Sequence, residues 1–209
     1  MTRHRFNNLT LTVLCIGALG ACSKGDGNAD TLSARTDTGM GRMDSTANMN
    51  ANATNASWSN DRVFGFSHGV DSSEIAIGNL AATKGTHAQV KAFGRQMVTD
   101  HKAMMGTHRA LMTKLNAKMD TTGGDARDMM DKGRDQMKDL TEKAKGAEWD
   151  REFIDGQIAT HERVLERLQD AAKNSTDTEL KAALPKAAAK VQEHLTKAQA
   201  LKATLDASK

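Results

Sequence analysis

The chain has 209 residues, with 29 Lys and Arg against 26 Asp and Glu, a formal net charge of +3, 3% aromatic residues, one proline and two cysteines. Basic and acidic residues alternate along it, which leaves a solvated surface and excludes a nucleic-acid footprint. No Gly-x-Ser-x-Gly element and no phosphate-cradling glycine loop occurs, so the common nucleophilic and nucleotide-dependent enzymes have no motif here.

Arg3 and Arg5 precede an apolar run from Leu9 to Leu19, which ends in Leu19-Gly20-Ala21-Cys22. A basic start, about 11 apolar residues and a small-residue end make a secretory signal, too short to span a membrane as a helix of about 20 residues. A cysteine directly after two small residues is the pattern of a lipobox, so residues 1–21 are expected to be removed and Cys22 lipidated. Lipidation also accounts for a cysteine left single when Cys15 departs with the signal. At about 0.8 kcal/mol per buried methylene, two or three acyl chains anchor a protein to a membrane. Ser23 follows the cysteine where Asp would retain an inner-membrane protein; resemblance to lipoproteins of the enteric type implies the outer membrane, facing the periplasm.

Residues 23–60 are almost entirely Ser, Thr, Asn, Ala, Gly, Asp and Met. Such a stretch buries too little apolar surface to offset its ordering entropy. Residues 22–61 therefore read as a tether that holds the remainder about 30 to 40 Å from the lipid. Met40, Met43 and Met49 within it are too irregularly spaced to make a designed soft-metal site.

Residues 62–209 carry helical patterns throughout and no alternating run, which predicts one all-α domain. A first helix reads from Ser72 to about Lys84, with Asp71 and Glu74 in the positions of a capping box. The second reads from Ala88 to Met119, with Val90, Phe93, Met97, His101, Met104, His108, Leu111 and Leu115 on one stripe. After Thr121-Thr122-Gly123-Gly124 a third, weakly apolar helix is expected to be peripheral. The fourth, from Trp149 to Lys173, aligns Ile154, Ile158, His161, Leu165 and Leu168. The fifth aligns Leu180, Leu184, Val191, His194, Ala198, Leu201 and Leu205, with Pro185 expected to kink or break it near its start.

Short connections make the first two and the last two helices antiparallel neighbours, while about 20 helical residues between the pairs span about 30 Å, enough to return along the bundle. The expected architecture is a ferritin-like four-helix bundle with an additional crossing helix. An up-down-up-down bundle would need only a short turn at that point.

Glu74-Ile75-Ala76-Ile77-Gly78, Phe93-Gly94-Arg95-Gln96-Met97-Val98-Thr99-Asp100-His101, Trp149-Asp150-Arg151-Glu152-Phe153-Ile154, Gln157-Ile158-Ala159-Thr160-His161, Leu184-Pro185 and His194-Leu195 occur in that order. In this the chain resembles the ferritin-like envelope family called domain of unknown function 4142, over about residues 63 to 203. The resemblance implies an exported, often lipidated four-helix protein with no established activity. The Met- and Lys-rich middle helix and Trp149, where phenylalanine is more typical, depart from the family's usual look.

Glu74, His101, His161 and His194 fall one per helix, each on the stripe that faces the core and within about 10 Å of one level. Imidazole and carboxylate converging in a bundle are metal ligands by type, suited to Zn, Fe or Cu, with Asp100 and Gln157 as supporting hydrogen-bond partners. The competing reading is a set of neutral core histidines bonded to those same partners. No Glu-x-x-His motif occurs, which argues against a di-iron enzyme. Met97, Met104, Met105 and Met112 beside His101 and His108 have the chemistry for Cu(I), although methionine is also a flexible core filler in a chain poor in aromatics. His68 and His87 are expected at helix edges, in solvent.

The sequence thus predicts a non-enzymatic envelope lipoprotein acting through binding or a structural or stress-related role. The alternative is a metal-binding protein built on the four core residues. A protein partner or a homo-oligomer is compatible with either.

Overall fold

The computed structural model describes residues 58–208; the expected signal peptide, the expected lipidation at Cys22 and the expected tether as far as residue 57 lie outside the described residues. Five helices follow in order, α1 (Asn60–Lys84), α2 (Ala88–Lys114), α3 (Gly124–Glu142), α4 (Ala147–Asn174) and α5 (Thr178–Asp206), with no strand among the described residues.

The first helix begins at Asn60, not Ser72, because Ser59 is the cap: its side chain accepts from the Arg62 backbone N–H. Trp58, just before it, is only 3% exposed and packs edge-on against Phe66. Residues 58–61, expected to end the tether, therefore pack with the helices. Asp71 and Glu74 are not a capping box but buried interior residues of α1. The same three-residue spacing that mimics a cap puts both on one helix face.

The second helix stops at Lys114, short of Met119. Asn116 adopts a left-handed φ of 48°, and the Ala117 N–H returns to the Met112 carbonyl, which satisfies the helix end. Pro185 lies inside α5 without breaking it. Leu180, Leu184 and Val191 are buried on either side of it, and this packing holds the helix together across the missing backbone bond.

Helix α3 carries the chain back along α1. Arg62 pairs with Asp125 at the start of both helices, and Lys84 Nζ donates to the carbonyls of Leu140 and Thr141 at the end of both. Ala126, Met129 and Leu140 are buried, so α3 contributes to the core as well as to the connection. Asp150, in the first turn of α4, accepts from the backbone N–H groups of Thr86 and His87 and so ties α4 to the turn between α1 and α2. The result is the expected ferritin-like order: an antiparallel pair, a returning helix, and a second antiparallel pair. Close approach within the first pair requires glycine, since a Cβ on Gly94 would sit 2.7 Å from the Gly78 carbonyl oxygen and one on Gly78 would sit 2.8 Å from that of Gly94.

The core is in two apolar parts. One gathers Trp58, Phe64, Phe66, Val164, Leu168 and Leu184; the other gathers Ile77, Phe93, Met97, Trp149, Phe153 and Leu201. Between them in every long helix lie buried polar residues: Asp71 and Glu74 in α1, His101 in α2, Gln157 and His161 in α4, and His194 in α5. A polar layer across the middle of a bundle is costly unless its groups are satisfied.

Candidate metal centre

The three histidines of that layer are each held by one ring nitrogen. His101 Nδ1 lies 2.9 Å from Asp71 Oδ1, His161 Nδ1 lies 2.8 Å from the Gln157 carbonyl oxygen, and His194 Nε2 lies 2.8 Å from Asp100 Oδ2. Carbonyls and carboxylates only accept, so these nitrogens carry the protons. The other nitrogen of each ring is then a lone pair.

Those lone pairs converge. One ligand nitrogen from each of His101, His161 and His194 lies within 4.8 Å of the others, and the rings are 5.5 to 6.1 Å apart by centroid. A tetrahedral ion with bonds of 2.0–2.1 Å sets its donors about 3.3 Å apart, inside the 4.8 Å within which these nitrogens already lie.

Glu74 stands beside them. Its Oε2 accepts from Gln157 Nε2 at 2.8 Å, while Oε1 has no partner. It is outside the set of groups whose ligand atoms lie within 4.8 Å of one another. Of the seven buried side-chain N and O atoms without a partner among the described residues, five are in this layer: Glu74 Oε1, His101 Nε2, Gln157 Oε1, His161 Nε2 and His194 Nδ1. Each such atom costs about 1–3 kcal/mol. Together they rival the whole net stability of a domain, about 5–15 kcal/mol, which argues for an ion or buried water that satisfies them.

Burial disfavours the charged form of two of these imidazoles, His161 and His194. Burial pushes His161 below the ordinary histidine range against the pull of Glu74. Burial likewise takes His194 down to about 4, despite its hydrogen bond to Asp100. Burial raises Asp71, but hydrogen bonds from His101 and His108 outweigh it and leave the carboxyl below its ordinary range. The same balance, with His194 and Gln96 as donors, lowers Asp100. Imidazoles hydrogen-bonded to carboxylates, as His101 is to Asp71 and His194 to Asp100, have the arrangement that supports a ligand histidine in metal sites generally.

All four sequence-derived ligand candidates lie in this layer, and Asp100 and Gln157 bond to its members. Asp71 bonds to both His101 and His108 and is not the helix cap that its sequence position suggests; its three-residue spacing from Glu74 is the signal for a shared face. His87 does lie at a helix edge, as the cap of α2, but His68 lies inside α1, half-buried. Met97 is fully buried in the core, as the filler reading expects.

Fold and site together define a ferritin-like helical bundle with a buried three-histidine centre. The family described as "Domain of unknown function (DUF4142)" matches residues 45–201, and the chain belongs to it. No curated protein and no solved structure matches the chain.

Proposed function

We propose that this protein is a lipid-anchored module of the cell envelope that binds a single transition metal ion and acts by binding rather than catalysis. One observation carries the metal reading: three buried imidazoles, each pinned on one side, turn unpartnered nitrogens to one point. Three imidazoles with one carboxylate suit Zn(II), Fe(II) or Cu(II). A di-iron centre of the ferritin-like type would take four glutamates, and this layer supplies Glu74 alone. Support for the anchor is the lipobox ending at Cys22; among the described residues no helix is long and apolar enough to cross a membrane.

The test is elemental analysis of the full chain, purified from membranes without chelator or affinity tag. The expected result is near-stoichiometric metal that is lost in His101→Ala and His161→Ala variants which remain helical. Metal-free protein that also refuses Zn, Fe and Cu on titration overturns the proposal and leaves the layer as a purely structural one.

A further inference from the structure

A second group of soft donors lies beside the inner centre. Met105, His108 and Met112 occupy one face of α2 and line a small cavity with His68 of α1 and with Met119 from the connection that follows α2. We propose that these residues form an outer site for a soft monovalent cation, Cu(I), with His108 and the three methionines as its donors and His68 at its margin.

Size selects an ion. The cavity measures about 20 Å³, close to the space one water molecule needs and far below that of an organic ligand. Donor chemistry then selects which ion. Thioether sulfur with imidazole is a set for Cu(I), whereas Mg and Ca take oxygen. The thioethers are neutral, the one carboxylate in the lining, Asp71, is already shared by His101 and His108, and Arg109 stands exposed at the rim, so a cation of low charge suits the site better than a divalent one.

Core filling does not account for these methionines as it does for Met97. Met119 is 38% exposed, and it is the exposed large hydrophobic side chain among the described residues. Met105, although half-buried, packs against neither apolar core. Met112 does pack against one core and serves in both roles.

His108 is oriented for the task. Its Nδ1 lies 2.9 Å from Asp71 Oδ2, which fixes the proton there and leaves Nε2 as the donor. The other oxygen of the same carboxylate holds His101. One buried aspartate thus positions a histidine of each site. The outer site uses no donor atom of the inner one and stands without it.

The experiment is anaerobic titration of the metal-free full chain with Cu(I) against a chromophoric chelator, followed by X-ray absorption at the copper edge. A Cu(I) equivalent with sulfur neighbours is expected. In the triple variant Met105→Leu, Met112→Leu, Met119→Leu, whose side chains keep nearly the same volume, that equivalent should weaken by at least about tenfold with helix content unchanged. It should persist in His161→Ala. Met40, Met43 and Met49 remain in every variant and so do not contribute to the difference. Unchanged Cu(I) affinity and stoichiometry in the triple variant, or copper with nitrogen neighbours only, overturns the outer site. Loss of all Cu(I) in His161→Ala also overturns it, while supporting the inner centre. A sulfur-bound equivalent in protein that holds no inner metal supports the outer site by itself.

Discussion

Asp71 receives His101 Nδ1 at 2.9 Å from inside the bundle, both side chains being almost wholly buried. The carboxylate orients the ring and sets its tautomer, so that Nε2 faces the other two histidines. Asp71→Asn should therefore lower metal affinity by about 10–100-fold while circular dichroism shows the helices intact. Competition against a chelator measures this, and an unchanged affinity would falsify the orienting role.

Metal should stabilise the fold. With free metal about a hundredfold above its dissociation constant, binding adds about 2.7 kcal/mol. A domain of this size gains about 2–4 °C in Tm per kcal/mol, so a chelator should lower Tm by about 5–10 °C. Calorimetry with and without chelator decides it; coincident melts count against the centre.

The metal-free protein should lose stability on mild acidification. His194 binds its proton near pH 4 when folded and near 6.5 when unfolded, and His161 is shifted the same way. The unfolded chain therefore holds more protons between those values. The stabilisation from His194 is complete above pH 6.5 and falls as pH drops towards 4, at about 1.4 kcal/mol per pH unit, and His161 adds to the loss in the same direction. Asp71, lowered from 3.8, adds a further loss only below that pH. Urea midpoints from pH 7 to 4 are the measurement, and a flat series between 6.5 and 5 contradicts buried neutral histidines.

Gly94→Ala should destabilise the protein by about 1–3 kcal/mol, because the added methyl meets the Gly78 carbonyl at 2.7 Å and Ala81 Cβ at 2.8 Å, and neither can swing away. Metal stoichiometry should not change, since neither glycine is one of the polar side chains of the layer. Urea denaturation with metal analysis separates the two effects.

Cys22→Ser should move the protein from the membrane pellet to the soluble fraction after export, since the acyl chains are the expected anchor. Fractionation of the two forms shows it. Retention of the variant in the membrane would assign the anchoring to something other than lipid.

Much of the architecture was legible in the chain. Apolar residues at three- and four-residue intervals located all five helices, and a connection of about 20 helical residues distinguished a returning helix from a short turn. The same periodicity put Glu74, His101, His161 and His194 on inward faces, because a stripe read along one helix reports burial whatever packs against it. Tertiary structure decided what a stripe does not contain: the start of α1, the continuity of α5 through Pro185, and the role of Asp71. Asp71-x-x-Glu74 is equally a capping box and an interior face, and only Trp58 and Ser59 packing upstream distinguish them. Which ring nitrogen faces inward was likewise set by acceptors on other helices or other turns, Asp71, Asp100 and the Gln157 carbonyl. A tautomer follows from the hydrogen bond made at the opposite nitrogen, and that bond exists only once the helices are packed.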